Sequence, residues 1–317
     1  MPELPDITIY VEHLERRTVG ATLRAVRVSQ PNLLRTVLPA PQAAIGRTVV
    51  SVGRVGKRIV IGFEGDLAFV LHLMIAGRLH WSEGSESAES VRPRVSRKSL
   101  SAVFGFSSGV LTLTEAGTHK RASLHVVEGP DAMRALDPGG LEPLDSSPED
   151  FAAALTRESH TLKRTLTDPR ILSGVGNAYS DEILHAARLS PTQLARNLSP
   201  GEMTRLHEAT QRVLREWIDR LRAESGDAFP EGVTAFRKGM AVHGRFGEPC
   251  PVCGSPVQRI VHAENETNYC ARCQTGGRVL ADRALSRLLK EDWPRRIEEL
   301  EEGPAARAGA RPPDSKL

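Results

Sequence analysis

Ile7, Val11 and Leu14 recur at helical spacing, and the polar positions between them predict an amphipathic helix over Ile7–Arg17. The period then changes. Short runs rich in Val, Ile and Leu follow at Thr48–Val52, Arg58–Phe63, Leu67–Leu73, Ala102–Phe106 and Val110–Leu113. Turns such as Glu64-Gly65-Asp66 and Ser107-Ser108-Gly109 separate them. Strands spaced this closely predict a β-sandwich or barrel behind an opening helix. The stretch Ser82–Lys98, with its Ser, Glu, Pro and Arg, reads as an exposed loop.

Past Pro138-Gly139-Gly140 the pattern becomes helical again. Ser147-Pro148-Glu149-Asp150 has the form of a helix start, with carboxylates where the N-terminal dipole favours them. Helical patterns occupy Phe151–Thr156, Asp181–Ala187 and Pro200–Ala223, Ser225–Gly232 reads as a loop, and Arg278–Leu300 as a charged helix. Gly303–Leu317 has the composition of a disordered tail. No internal repeat is visible.

At 317 residues the chain is long enough for two domains, and 40% hydrophobic with 26% charged residues is ordinary for a soluble globular protein. Aromatic residues are only 4%, so a nucleic-acid surface would rely on Arg and Lys more than on stacked rings. The net charge of +3 fits a polyanionic partner without requiring one. No apolar run approaches the roughly 18 residues of a membrane span. The start, Met1-Pro2-Glu3-Leu4-Pro5-Asp6, is acidic and proline-bearing, unlike a secretory signal. A reducing, cytoplasmic location without membrane contact is the expectation.

All four cysteines lie in one stretch: Cys250-Pro251-Val252-Cys253, sixteen residues, then Cys270-Ala271-Arg272-Cys273. Two such pairs at this spacing can bring four thiolates to one tetrahedral Zn²⁺. Two disulfides or a redox dithiol are the competing readings. A four-thiolate site has no open coordination position, so this zinc would fold a β-hairpin and take no part in hydrolysis. The residues between the pairs include Arg259, His262 and Asn265, which makes the hairpin polar.

Two further features carry chemistry. Removal of Met1 would leave Pro2 with a free secondary amine, which is partly neutral and nucleophilic near its pKa of about 8. Attack of such an amine on a sugar C1′ gives an iminium, and the neighbouring Glu3 can exchange protons there. Equally, Met-Pro-Glu can be no more than a chain start. The second feature is Gly174-Val175-Gly176-Asn177, a glycine turn ahead of a new helix that Asn177 can cap. Its backbone N–H groups suit a phosphate; an ordinary corner between two helices reads the same way.

Together these motifs, Pro2-Glu3-Leu4-Pro5, Gly174-Val175-Gly176-Asn177 and the four cysteines, resemble the formamidopyrimidine-DNA glycosylase/endonuclease VIII family from Met1 to about Gln274. The resemblance implies an α+β fold: an N-terminal catalytic β-sandwich domain (1–137), a helix-two-turn-helix DNA-binding domain (138–236), a four-cysteine zinc finger (237–276) and a helical extension with a disordered tail (277–317). It implies a monomeric, nucleoid-associated glycosylase/AP lyase that excises oxidised bases from double-stranded DNA. It implies a catalytic set of Pro2 as nucleophile, Glu3 as acid/base and Lys57 at the phosphate near the lesion. Lys57, Lys163, Asn177 and His72 would contact the DNA backbone, with Glu182 near the active site and one structural Zn²⁺ on Cys250, Cys253, Cys270 and Cys273. The target nucleotide would leave the stack to reach Pro2.

The sequence also departs from the family pattern. Asn265 stands where an arginine on the hairpin usually meets the lesion phosphates. The intercalating methionine is Ile75 by register, with Met74 beside it. Thr118-His119-Lys120-Arg121 replaces an Arg-Phe pair, which makes His119 a candidate to fill the vacated stack. Asp6 is one methylene shorter than the usual Glu. Gly226–Val242 is short for a loop over an oxidised guanine. These departures keep open an alternative, a non-catalytic or lyase-impaired damage-binding protein on the same scaffold.

Overall fold

The computed structural model describes residues 1–84, 98–231, 233, 237–262, 265–281, 288 and 294–301. They form two compact units: Met1–Asp145 with Asp168–Gly176 and Leu214–Ala235, and Ser146–Thr167 with Asn177–Val213 and Phe236–Leu317.

The first unit opens with α1 (Leu4–Thr18), longer than its apolar period requires because Glu3 and Asp6 define the start. The Glu3 backbone N–H donates to Asp6 Oδ2 at 2.8 Å, satisfying an amide that precedes the first helical turn. Arg16 and Arg17 complement the carboxyl end of the helix. Ile7, Tyr10 and Leu14 bury one face in the sandwich core, with Val11 packed at its margin.

Eight strands follow: β1 (Leu23–Val28), β2 (Val49–Val55), β3 (Arg58–Phe63), β4 (Leu67–His72), β5 (Gly77–Glu83), β6 (Leu100–Phe106), β7 (Gly109–Glu115) and β8 (Ser123–Glu128). They pair antiparallel in two four-stranded sheets, ordered β1-β6-β7-β5 and β2-β3-β4-β8. Ile59, Ile61 and Phe63 of β3 alternate inward, as a half-buried strand should. The run Leu67–Leu71 in β4 is buried on both faces. Its outer residues Ala68 and Val70 meet Val127 and are packed by Ala132 and Met133, which lie on or beside the short α2 (Pro130–Arg134).

Three connections cross between the sheets, one of them the β1–β2 link of residues 29–48. Residues 73–76 join β4 to β5, and residues 116–122 join β7 to β8. The register Gly77↔Glu115 in one sheet and His72↔Ser123 in the other places these last two crossings at the same end of the sandwich.

The second unit contains α3 (Pro148–Thr156), α4 (Leu162–Thr167), α5 (Asn177–Ala187) and the start of α6 (Pro200–Ser225). Ser147 caps α3, its Oγ accepting from the Asp150 N–H at 3.0 Å, as the sequence predicts. A hairpin of β9 (Gln258–His262) and β10 (Asn265–Tyr269) precedes α7 (Ala271–Thr275). The architecture is the expected mixed one: an N-terminal sandwich, a helical segment and a C-terminal finger.

The extension differs from the sequence reading. Arg278 and Arg296, near the two ends of the expected Arg278–Leu300 helix, form an antiparallel bridge, with Val279 N–H donating to Arg295 O and Ile297 N–H to Gly277 O. Leu280 and Ile297 are buried against Tyr269 and Ala271, and Tyr269 Oη accepts from the Leu280 N–H at 2.7 Å. Burial of these apolar residues on the finger prevails over the charged periodicity at Arg278–Leu280 and Arg295–Ile297, while Glu298–Glu301 forms the short helix α8. Residues 282–287 and 289–293 of that expected helix lie outside the described residues, as do the tail 303–317 and positions 85–97 of the expected Ser82–Lys98 loop. Among the described residues no helix is long and apolar enough to cross a membrane.

Candidate active site and zinc centre

In the first unit the chain start is held by main-chain and side-chain bonds to the glycine turn. Leu4 N–H donates to Gly174 O at 2.9 Å, and Gly176 N–H donates to Glu3 Oε2 at 2.7 Å. Both glycines are needed, for different reasons. Gly174 has φ +77°, and a Cβ there would lie 2.8 Å from the Leu4 side chain. At Gly176 a Cβ would lie 2.6 Å from Glu3 Oε1 and 2.7 Å from Lys57 Nζ. The Glu3 carboxylate, the Lys57 ammonium and the Gly176 backbone therefore converge on one point.

Pro2 is buried and Glu3 is only 2% exposed. Met1 precedes Pro2, so the terminal amine here belongs to Met1. Burial holds this amine below its ordinary pKa of 8.0; Arg78 and Lys57 push the same way while Glu3 and Asp6 oppose them. Asp6, noted as a shortened carboxylate, serves the capping bond to Glu3.

His72 closes β4 opposite Arg58. Its pKa is pushed down to about 4 by burial, then by the charges of Arg58 and Lys57 and by His125. At neutral pH it is an uncharged hydrogen-bonding group. In the adjoining crossing Met74 has φ +52° and Ile75 is 56% exposed, with Arg78 Nη1 donating to Ile75 O at 3.0 Å. His119 is exposed on the other crossing. The buried Glu115 carboxylate shapes that loop, accepting the N–H groups of Arg121 at 2.7 Å and Ala122 at 3.1 Å. Glu115 carries no motif, and its ordering role was not legible in the sequence.

In the second unit Asn177 opens α5, and its Nδ2 donates to the Glu266 carbonyl at 2.8 Å. Lys163 Nζ donates to Asn177 O at 2.7 Å and to Asp181 Oδ1 at 2.6 Å. Glu182, open in the sequence between site and surface, is buried. Its carboxylate accepts the N–H groups of Ala241, Val242 and His243 at 2.7, 2.9 and 2.9 Å. Burial raises its pKa against those three bonds, with Asp181 adding to the rise. The Asn265 side chain lies outside the described residues, and so does that of His262. Arg259 is held on the hairpin by Glu266 Oε2 at 3.2 Å and lies 4.2 Å above the Phe246 ring.

The four cysteines are free thiols, and their Sγ atoms all lie within 4.8 Å of one another. Individual separations are 4.0 Å for Cys250–Cys273 and 3.3 Å for Cys253–Cys270. Bonds of about 2.3 Å to a tetrahedral zinc need sulfurs close to these distances, so the donor set fits one structural Zn²⁺. His185, on α5, places Nε2 3.3 Å from Cys250 Sγ, the position of a supporting partner for a thiolate ligand.

Three family models match successive stretches of the chain. They are the formamidopyrimidine-DNA glycosylase N-terminal domain over residues 1–119, the H2TH domain of the same enzymes over 140–226, and the zinc finger found in FPG and IleRS over 247–276. The formamidopyrimidine-DNA glycosylase of Heliobacterium modesticaldum is 33% identical over 287 residues, covering 86% of this chain and 100% of the relative. The chain belongs to the formamidopyrimidine-DNA glycosylase family. An uncharacterised formamidopyrimidine-DNA glycosylase-like protein of Mycobacterium tuberculosis is 44% identical over 162 residues, 51% of this chain and 99% of that protein. Among solved structures, MutM (Fpg) of Thermus thermophilus aligns with a TM-score of 0.70 at 31% identity, covering 86% of this chain and 98% of that one. Lactococcus lactis Fpg, bound to DNA containing an AP site, aligns with a TM-score of 0.72 at 22% identity over 86% and 99% of the two chains and supports the fold. The glycosylase-family match covers the segments that bear Pro2, Glu3, Lys57, Gly176, Asn177 and the cysteines; residues beyond 276 lie outside all three family models.

Proposed function

We propose that this chain is a bifunctional DNA glycosylase/AP lyase that removes oxidised bases from double-stranded DNA, with Pro2 as nucleophile once Met1 has been removed. The observation that carries the reading is the convergence of Glu3, Lys57 and Gly176 beside the buried chain start. Burial lowers the pKa of the Met1 amine at this site, an environment that favours the neutral, nucleophilic form of a terminal amine, and a carboxylate one residue away can shuttle protons.

The Pro2 nitrogen lone pair attacks C1′ of the extruded deoxyribose, the bond from C1′ to the base breaks, and the base leaves with that electron pair and takes up the proton that the Pro2 nitrogen loses. Opening of the ring C1′–O4′ bond, with protonation of O4′, yields an iminium. The iminium acidifies C2′–H. Removal of that proton expels the 3′-phosphate and cuts the strand, and water then releases the sugar remnant from Pro2. Glu3 serves as the acid/base in these transfers.

On this reading Lys57 and His72 hold DNA phosphates, the first as a cation and the second as a neutral donor. Asn177 and Asn265 add hydrogen bonds; such contacts position the duplex without reading its sequence. Ile75, flanked by Met74, enters the base stack, and His119 shares that role from the neighbouring crossing. The protein acts as a monomer, in the cytoplasm and on nucleoid DNA. The zinc, held by Cys250, Cys253, Cys270 and Cys273, fixes the hairpin.

Borohydride reduction during reaction with an abasic duplex tests the proposal. The chain without Met1 is expected to become covalently joined to the DNA, and a chain carrying any residue ahead of Pro2 is expected to stay free. Lesion-selective binding with no adduct from the Pro2-terminal chain would establish a non-catalytic damage-binding protein instead.

A further inference from the structure

The second unit contains a polar cluster that a phosphate-binding role for Lys163 does not explain. Asp181, on α5, is fully buried, with 0% exposure. One of its oxygens accepts from Lys163 Nζ at 2.6 Å, and the other lies 2.8 Å from Nδ1 of His243, itself buried. Lys163 also donates to the Asn177 carbonyl at 2.7 Å, and the His243 N–H donates to Glu182 Oε1 at 2.9 Å. Asn177 Nδ2 then reaches the Glu266 carbonyl at the start of β10.

A buried carboxylate is tolerated only when paired and hydrogen-bonded. To grip a phosphate, the Lys163 ammonium would have to release Asp181 and leave that charge inside the protein against a single imidazole. The arrangement resists this. What the cluster does hold is the Asn177 peptide, from the Lys163 side, and the 241–243 backbone, through Glu182 and His243.

We infer that Lys163, Asp181 and His243 form a positioning triad that fixes Asn177 for DNA, and that Lys163 is not itself a phosphate ligand. The inference rests on the reading that Asn177 contacts DNA. Its new content is the role of Asp181 and His243, which no motif in the sequence marks.

The test measures affinity for a duplex containing a tetrahydrofuran abasic analogue, which needs no chemistry, across a series of salt concentrations. Losing one phosphate contact lowers the slope of log K against log salt by about one. For Lys163→Met the expected result is weaker binding, by about tenfold, the size of one lost charge-assisted hydrogen bond, with an unchanged slope. A slope reduced by about one overturns the inference.

A second pair of variants keeps the test decisive if Lys163→Met does not fold. Asn can place its Nδ2 where His243 has Nδ1 and Phe cannot donate, so His243→Asn is expected to bind more tightly than His243→Phe at equal zinc content. Equal affinities in that pair overturn the triad. Lack of lesion binding by the unaltered protein overturns the DNA-repair reading and the triad with it, whereas intact binding with a changed slope removes the triad alone.

Discussion

The Gly176 N–H donates to the Glu3 carboxylate at 2.7 Å across 173 positions of sequence. That bond ties the chain start to the glycine turn, and it explains why residue 176 has no room for a side chain. Gly176 lacks a positive φ, so the constraint is contact and not backbone strain.

Gly176→Ala is therefore expected to act on catalysis more than on folding. A methyl group 2.5–2.7 Å from the Glu3 carboxyl and Lys57 Nζ must displace one of them. A displacement of about 1 Å in a catalytic group costs on the order of 100-fold in rate. The rate of borohydride-trapped adduct formation checks this. Gly174→Ala combines a φ of +77° with a clash against Leu4, and is expected to cost about 1–3 kcal/mol of stability as well, measured by denaturant unfolding.

The His72 pKa gives a pH dependence of definite sign. In the unfolded chain the imidazole protonates near 6.5, but in the folded sandwich only near 4. As pH falls from 6.5 towards 4 the unfolded state takes up a proton that the folded state refuses, so stability declines, and it levels off below 4. A gap of this size corresponds to at most about 3 kcal/mol. His72→Gln is expected to remove that component. The difference between the two unfolding free energies, followed from pH 7 to 4, isolates it from the carboxylates that titrate over the same range.

Much of the sandwich was legible because β2, β3, β4, β6 and β7 carry dense aliphatic runs. The strand β5 is hidden in the sequence because Arg78 and His80 alternate with its buried Leu79 and Trp81, and β1 because Arg24 and Arg27 interrupt a short segment. The finger is legible through cysteine spacing alone, whereas the glycine turn gains a meaning only beside the Pro2-Glu3 start and the four cysteines, because an ordinary helix corner has the same pattern. The grouping of Glu3, Lys57 and Gly176 was not legible, since nothing local to any of the three signals the others. Asp181 and Glu182 were harder still. Two adjacent acids on a helix look like a solvated face, and only their burial beside Lys163, His243 and the 241–243 amides shows otherwise.

The exposed turn offers a variant that separates binding from folding. Ile75 is 56% exposed, so Ile75→Ala is expected to change stability by no more than about 0.5 kcal/mol. If the side chain enters the base stack, the same change should lower affinity for the abasic-analogue duplex, and fluorescence of 2-aminopurine opposite the lesion should report less unstacking. Equal affinity and equal fluorescence would leave Ile75 with no part in DNA distortion.

Zinc removal should act through the second unit. The Cys250 thiol is buried with Cys270, Val242 and Val257, so losing the metal removes the bonds that would tie the four thiolates of this small core together. Chelation is expected to lower the melting temperature and abolish lesion binding, and a metal assay should return about one zinc per chain before treatment. His185 sharpens the test, because its ring reaches Cys250 from α5 at 3.3 Å. His185→Phe keeps the bulk and removes the donor, and loss of such an outer partner weakens zinc affinity by about 10–100-fold. Competition with a chromogenic chelator measures that shift directly. An unchanged zinc affinity in His185→Phe would mean that the imidazole packs against the thiolate without supporting it.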